Sequence, residues 1–300
     1  MAASKIPLYS ALAANLAIAI TKFIAAGVTG SSAMISEGIH SVVDTANEIL
    51  LLFGIHKSKK PANAQRPFGY GKELYFWAFI VSILIFGIGG GISFYEGVTH
   101  LQHPSQIEDP KWNYLVLGVA FVFDGISFIT AMREFKRQRG SMPFWTAVRE
   151  SKDPSTFVVL FEDAADLLGL TVAFLGIFLG HYYQDPRFDG IASIIIGIIL
   201  TAISALLLKE SRSLLMGETA DPETLQEVTR LTEANPLVVK VNLPLSMYMA
   251  PEEIILVLPI IFQEEVNSRD ITQAIVQIRQ TIQQKFPSIK QIFVEPELAT

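Results

Sequence analysis

Two pairs of metal-ligating side chains occur in segments that are otherwise apolar enough to cross a bilayer. His40 and Asp44 form one pair, and Glu162 and Asp166 form the other. Four residues is just over one helical turn, so each pair projects from one face of its helix. An ionisable group at membrane depth costs about 2.5–3.5 kcal/mol on insertion scales, so it needs a partner or a function. We predict that these four side chains converge on a divalent cation, which indicates a metal transporter.

Other polar residues in the apolar segments have both a functional and a structural interpretation. Glu37 and Glu48 lie nearer the ends of their segment, and we leave them outside the metal-binding set. Asp163 adds a further carboxylate, and neighbouring carboxylates repel each other unless a cation or protons neutralise them. Asp124 is either a proton carrier or cavity-lining group, or it is a partner for Lys22 or for a helix end. The sequence leaves these alternatives open.

The apolar residues are concentrated in six blocks, each near the roughly 20 residues that cross a hydrocarbon core. The predicted spans are 8–28, 33–55, 74–98, 114–132, 156–180 and 191–208. The first block is longer than a signal-peptide core and contains Asn15 and Lys22, so we expect it to be a span. Asn15 and Asn47 are predicted to donate hydrogen bonds between helices. Glycines at positions 87 and 89–91 are predicted to allow a tight helix crossing or a bend.

The loop charges predict the orientation of the chain in the membrane. Basic residues are concentrated in the loops after the second and fourth spans, at positions 57, 59, 60, 66 and 72 and at 133, 136, 137, 139, 149 and 152. The two opposite loops contain only Lys111 and Arg187. The positive-inside rule therefore places both termini in the cytoplasm. We expect a multi-pass protein of the plasma (inner) membrane.

The chain becomes polar and periodic after the last span, which predicts two domains, residues 1–209 and 210–300. A helix is predicted to begin at Pro222 with Asp221 as its N-cap. Strands at 238–249 and 253–262, a helix at 267–286 and a strand at 291–294 complete the second domain. This α-β-β-α-β order predicts a small two-layer α+β domain. Because so small a domain buries little core, we expect it to pair with a second copy.

Two motifs resemble signatures of the cation diffusion facilitator family of divalent-metal/proton antiporters. The run GSSAMISEGIHSVVD at 30–44 is similar to the signature of the family's second helix. The run RPFGYGKE at 66–73 is similar to that of its loop and third helix. The resemblance covers nearly the whole chain and implies an α-helical membrane protein, a six-transmembrane-helix bundle followed by the cytosolic α+β domain. It further implies a homodimer, and assigns the transported ion to His40, Asp44, Glu162 and Asp166.

The sequence departs from the family pattern in ways that affect metal preference. Glu162 stands where most zinc-transporting relatives have histidine, so the site has one nitrogen donor and three oxygen donors. Zinc is favoured, and manganese, iron or cobalt become alternatives. The positions of a loop metal site found in relatives are Asn63, Arg66 and Tyr70 here, so we expect that site to be absent. The chain has no cysteine, and its five histidines all precede the C-terminal domain.

The predicted function is divalent-cation efflux by proton-coupled antiport. The alternative is a membrane metal sensor or assembly scaffold that transports nothing and binds a partner through its cytosolic domain. No H-E-x-x-H or Walker pattern is present, so we predict neither an enzyme nor an ATP-driven pump. The expected partners are the metal ion, protons, the lipid bilayer and a second copy, with no nucleic acid and no bound cofactor. The resemblance also predicts an ion pair between Lys72 and Glu210. Three further histidines, His100, His103 and His181, are expected in solvated outward loops.

Overall fold

The computed structural model describes residues 6–104 and 110–298, and the chain divides into two compact units. The first unit contains the chain up to His56 together with Phe76–Arg212. The second contains Lys57–Tyr75 together with the chain from Ser213 onwards. The 57–75 segment is thus grouped with the C-terminal residues. The boundary at 209/210 stays a prediction.

Long helices build the first unit and overlap all six predicted spans. They are α1 (Ile6–Thr29), α2 (Ser32–Ser58), α3 (Glu73–Leu84), α4 (Gly91–Gln102), α5 (Pro110–Arg139), α6 (Phe144–Glu150), α7 (Pro154–Tyr183) and α8 (Arg187–Met216). Among the residues that the structure describes, four segments are long and apolar enough to cross a membrane, namely α2, α3 with α4, α5 and α8. Helix α7 covers the fifth predicted span and includes three acids, and α1 covers the first. A count of six spans stays a prediction.

The glycine run between α3 and α4 lies at a tight helix crossing, which confirms one of the two alternatives predicted for it. Residues 85–90 form a π-helical segment that joins the two helices. A Cβ atom added at Gly90 would lie 2.5 Å from Thr201 Oγ1, and one at Gly97 would lie 2.7 Å from the carbonyl oxygen of Gly190. Helices α4 and α8 therefore approach each other at their backbones, which only small residues allow. This contact fixes α8 within the bundle.

A four-stranded sheet and two helices form the second unit. Its elements are α9 (Pro222–Glu233), β1 (Val238–Val241), β2 (Leu245–Ala250), β3 (Glu253–Phe262), α10 (Ser268–Lys285) and β4 (Ile289–Glu297). Strand β3 is central, with β4 parallel along one edge and β1 and β2 antiparallel along the other. The single strand predicted at 238–249 is wrong, because it is two strands separated by Asn242–Pro244. Proline has no N–H to donate to a sheet ladder.

The core of the second unit lies between one face of the sheet and the two helices. Its members include Ile254, Leu256, Leu258 and Ile260 from β3, Val228 from α9, and Ala274, Ile278 and Ile282 from α10. The alternating positions along β3 and the four-residue steps along α10 are the periods that bury one face of each element. The predicted two-layer α+β arrangement is confirmed, as are Asp221 as N-cap and Pro222 as the first helical residue.

The 57–75 segment packs within this second unit. The ring of Phe68 lies 6.4 Å from that of Phe293 in an edge-to-face arrangement. Lys72 Nζ donates to the carbonyl oxygen of Leu215 at 3.3 Å. A cation at this carbonyl is favourable, because the last carbonyls of a helix carry partial negative charge. The predicted Lys72–Glu210 pair stays a prediction.

Candidate metal site

His40 lies between two carboxylates that come from different helices. Its Nδ1 atom is 3.2 Å from Asp44 Oδ1, one turn further along α2, and its Nε2 atom is 3.2 Å from Asp166 Oδ1 on α7. One ligand atom from each of the three residues can be chosen so that all lie within 4.8 Å of one another. The imidazole is almost fully buried, and the two carboxylates are 12–15% exposed. The structure thus brings together three of the four predicted ligands.

The polar atoms in this group have the character of metal ligands rather than of a closed hydrogen-bond network. In the described part of the chain, both ring nitrogens of His40 are buried without a hydrogen bond of acceptable geometry. Asp44 Oδ1 and Asp166 Oδ1 are buried and unsatisfied in the same way. Buried polar atoms are normally hydrogen-bonded, so the lone pairs of this cluster are available to a further partner. A divalent cation accepts lone pairs from one imidazole nitrogen and two carboxylates, which suits this set.

Glu162 lies beside the three-residue group but has a partner of its own. Its Oε1 atom accepts a hydrogen bond of 2.7 Å from Asn47 Nδ2, and the carboxylate is buried. Asn47 is fully buried, and its own Oδ1 atom has no hydrogen-bond partner among the described residues. The prediction that Asn47 donates between helices is confirmed, as is that for Asn15, which donates to Glu48 at 3.3 Å. The fourth predicted ligand is therefore held next to the site by a neutral amide.

A cavity of about 440 Å³ leads to the site from one end of the bundle. Its wall extends from Ile55 and Ser155 to Asp44 and Asp166, between α1, α2, α5 and α7. Carboxylates line much of it, contributed by residues 44, 48, 124, 162, 163 and 166. A cleft with charges of one sign raises the local concentration of the opposite ion. The cavity can therefore attract a cation toward His40.

Asp163 and Asp124 line this cavity rather than the three-residue group. Asp163 Oδ2 accepts a hydrogen bond of 2.9 Å from Ser127 of α5. Of the two interpretations for Asp124, its position favours the cavity-lining one, since Lys22 pairs with another acid.

Lys22 and Glu37 form a buried ion pair behind the site. Lys22 Nζ lies 3.1 Å from Glu37 Oε2 and 2.8 Å from Ser41 Oγ, and both charged side chains are fully buried. Glu37 is one turn before His40 on α2, and Ser41 directly follows His40 in the sequence. The pair therefore fixes α2 against α1 beside the three candidate ligands. Glu37 was not predicted to lie beside the site, although the lone lysine in the apolar helix α1 indicates that a nearby acid must pair with it.

The three positions that correspond to the relatives' loop metal site come together in the 57–75 segment without metal ligands. Asn63 Nδ2 donates to Tyr70 Oη at 2.8 Å, and Asn63 Oδ1 accepts the backbone N–H of Arg66 at 2.8 Å. The Arg66 guanidinium lies 4.8 Å from the centre of the Tyr70 ring. These three residues thus form a hydrogen-bonded turn with a cation–π contact.

The expectation that His100 lies solvated in an outward loop is wrong. His100 belongs to α4 and is 8% exposed, with Nε2 3.8 Å from Asp189 Oδ2. The helix extends four residues beyond the predicted end of the span, which carries His100 into the bundle. His103 directly follows α4 and is exposed, and His181 is exposed near the end of α7.

Comparison with known proteins gives a family match over most of the chain. Residues 8–216 match the family described as the cation efflux transmembrane domain. The human proton-coupled zinc antiporter SLC30A9, mitochondrial, is 37% identical over 219 residues, which are 72% of this chain and 39% of that protein. Metal tolerance protein C4 of Arabidopsis thaliana is 28% identical over 232 residues, 76% of this chain and 50% of that protein.

A bacterial relative is matched over more of its own length. The manganese efflux system protein MneP of Bacillus subtilis is 25% identical over 224 residues, which are 72% of this chain and 70% of that protein. The chain thus spans two fifths to one half of the length of the human and Arabidopsis relatives.

Proposed function

The chain belongs to the cation diffusion facilitator family, and on that premise we propose that it exports a divalent metal cation in exchange for protons. The observation that carries the proposal is the buried group of His40, Asp44 and Asp166, whose ligand atoms lie together and unsatisfied. They belong to two long helices, α2 and α7, that both line the cavity. Ligands from two helices can be drawn together or apart when the helices move, as a transport site requires.

Zinc is the metal that we favour. One imidazole nitrogen and two carboxylate oxygens leave a fourth tetrahedral position, which Glu162 takes if it leaves Asn47, and which a water molecule takes otherwise. The relative named as a zinc antiporter supports zinc, and the relative named as a manganese efflux protein supports manganese as the main alternative. Iron and cobalt stay candidates because oxygen-rich donor sets also accept them.

Proton exchange follows from the chemistry of these ligands. The cation binds deprotonated carboxylates and the neutral imidazole, so protons and metal compete for the same lone pairs. When the site faces the cytoplasm through the acidic cavity, the metal binds. When it faces the other side, protons displace the metal, and the protonated site returns.

The membrane arrangement that we propose is a homodimer of six-span subunits with both termini in the cytoplasm. The excess of Lys and Arg in the loops after α2 and α5 supports this orientation. The small second unit supports pairing, because apolar side chains such as Leu243 and Leu245 are 79% and 59% exposed. We place the protein in the plasma (inner) membrane. Imaging of a tagged chain against a mitochondrial marker tests this, since the human relative is mitochondrial by name.

Flux measurements in proteoliposomes test the function. The purified chain is reconstituted with a metal-sensitive dye and a pH-sensitive dye inside the vesicles, and zinc, manganese, iron, cobalt and cadmium are added in turn. We expect zinc uptake with proton release from the lumen, accelerated by an inside-acid gradient. Equal metal entry in empty vesicles, or metal entry without proton movement, would contradict the antiport mechanism.

The alternative function is a metal sensor or assembly scaffold. Such a protein would bind metal at the same three residues but would move none across the vesicle membrane. Metal binding by calorimetry combined with zero flux would favour it. Pull-down with the second unit would then identify its partner.

A further inference from the structure

Asp189 of α8 provides the N-terminal cap of α2 across the bundle. Its Oδ2 atom accepts the backbone N–H groups of Ser32 at 2.5 Å and Ala33 at 3.3 Å, and the hydroxyl of Ser32 at 3.0 Å. Its Oδ1 atom accepts the hydroxyl of Ser31 at 2.6 Å. The first N–H groups of a helix lack partners within the helix and carry partial positive charge, so a carboxylate satisfies them well. Asp189 is fully buried.

The connection between α2 and α8 continues one turn further into the bundle. Ser36 Oγ and Ser193 Oγ share a short hydrogen bond, and Ser193 Oγ also approaches the carbonyl oxygen of Ser93 on α4 at 2.9 Å. Ser32 and Ser36 are eight and four residues before His40, so they share its stripe on α2. The face of α2 that is bound to α8 thus leads directly to the metal-binding residues.

These contacts lie at the end of α2 opposite the cavity. The cavity is lined by α2 residues from Ser41 to Ile55, whereas the Asp189 contacts lie at residues 31–33. At 1.5 Å per residue, Ser32 and Asp44 are about 18 Å apart along the helix axis. Met34, which lies between them, is fully buried. In this structure the site is therefore approached from the cavity end, and the opposite end is closed by α2 and α8.

We propose that Asp189 is a positioning residue that latches α2 to α8 and keeps this end of the bundle closed, so that metal leaves there only when the latch opens. That metal leaves through this end rests on the proposed transport function. Opening must separate a buried carboxylate from four donors, and hydrogen bonds to a charged group are among the stronger ones. The latch therefore favours the conformation in which the cavity end is accessible.

Thiol labelling tests the latch directly, because the natural chain has no cysteine. Met34→Cys is introduced alone and together with Asp189→Asn, and membrane vesicles are treated with a membrane-impermeant thiol reagent from the side opposite the cavity. We expect Asp189→Asn to raise the labelling rate about tenfold or more, since an amide cannot accept all four hydrogen bonds. The double variant Ser31→Ala/Ser32→Ala removes two donors and should raise the rate less.

Two controls separate the latch from general loosening. Asp185→Asn changes a nearby acid whose Oδ1 accepts the backbone N–H of Arg187, and it should leave the labelling rate unchanged. Leu207→Cys places the thiol at a fully buried position of α8 instead of α2. It should stay unreactive in the Asp189→Asn background. An unchanged rate at Met34→Cys, or an equal rise at Leu207→Cys, would overturn the latch. Zinc flux of the natural chain is measured in the same vesicles. A lack of zinc flux would refute the proposed transport function but not the latch, because the labelling rates test the latch independently of transport.

Discussion

The ammonium of Lys22 lies 3.1 Å from the carboxylate of Glu37, and solvent reaches neither side chain. Two opposite charges without water offset each other only while both are present. The pair joins α1 to the turn of α2 that precedes His40, and Ser41 completes the arrangement by accepting a second hydrogen bond from Lys22. The position of the proposed ligands therefore depends on a charge balance between two residues that are not ligands themselves.

Removing Lys22 alone should destabilise the protein more than removing both charges. Lys22→Met leaves a buried carboxylate without a partner, at a cost of about 3–5 kcal/mol. Lys22→Met/Glu37→Gln removes both charges at similar volume and should recover most of this loss. Thermal unfolding of the detergent-purified variants measures the difference. Equal midpoints for the single and double variants would show that the two charges are not coupled.

Gly169 of α7 should not accept a methyl group. A Cβ atom at this position would lie 2.4 Å from Glu37 Oε1, whose ion pair with Lys22 prevents it from moving away. Gly169→Ala should therefore cost about 1–3 kcal/mol despite the better helix propensity of alanine. Gly118→Ala on α5 is the matched control, because nothing lies within 4 Å of its added Cβ. A higher unfolding temperature for both variants would contradict the close contact.

Asp44 and Asp166 should be indispensable for transport. Each lies 3.2 Å from a different nitrogen of His40, so replacing either carboxylate with alanine removes one of three gathered ligands. We expect metal flux in proteoliposomes to fall to the level of empty vesicles, with insertion unchanged. Asp163→Ala is the control on the same helix, since Asp163 is bound to Ser127 and should reduce flux only partly. Normal flux in Asp44→Ala and Asp166→Ala would refute the assigned site.

Glu162 should set the preference among metals. Histidine at this position adds a second nitrogen donor, and softer donors favour zinc over manganese. We expect Glu162→His to raise the ratio of zinc flux to manganese flux. Asn47→Leu removes the hydrogen-bond donor to Glu162 and leaves the carboxylate itself unchanged. It therefore separates the effect of the Glu162 hydrogen bond from the effect of the donor atom at position 162. If the preference series is the same in all three proteins, Glu162 does not bind the transported ion.

The sequence predicted the elements well where burial alone decides them. Blocks of about 20 apolar residues become helices because every backbone polar group must be satisfied within its own segment at membrane depth. The four-residue spacing likewise predicted that His40 and Asp44 share a face, and the structure brings Asp166 to the same point.

The pairing of individual polar and aromatic side chains could not be predicted from the sequence, because the periodicity of apolar residues does not specify which partner each side chain contacts. Glu162 is bound to Asn47 because the amide of this α2 residue lies within hydrogen-bonding distance. Lys22 pairs with Glu37 rather than with Asp124 because the Glu37 carboxylate lies within 3.1 Å of its ammonium. The packing of Phe68 on Phe293 joins residues that are 225 positions apart. In each case several acceptors or surfaces of similar chemistry were available, and only the three-dimensional packing selects one.

Glu227 should make the stability of the second unit depend on pH below about 4.5. Its carboxylate accepts two hydrogen bonds from Arg230, at 2.7 and 2.6 Å, and a further one from Lys285, which joins α9 to α10. These bonds lower the pKa of Glu227 from the usual 4.5 to about 2 in the folded protein. A group whose pKa is lower when folded stabilises above its unfolded pKa, and this contribution disappears as pH falls from 4.5 toward 2.

Replacement of Glu227 isolates this effect. Glu227→Gln should be less stable than the natural chain at pH 6, and the two should converge as the pH approaches 2. The difference should be small and should shrink in high salt, because the three side chains lie at the surface, where solvent screens their charges. Glu223→Gln, which removes another carboxylate from α9, is the matched variant for comparison. Calorimetry of the full chain in detergent measures the unfolding of the second unit, and parallel curves for Glu227→Gln and the natural chain from pH 6 to pH 3 would contradict the lowered pKa.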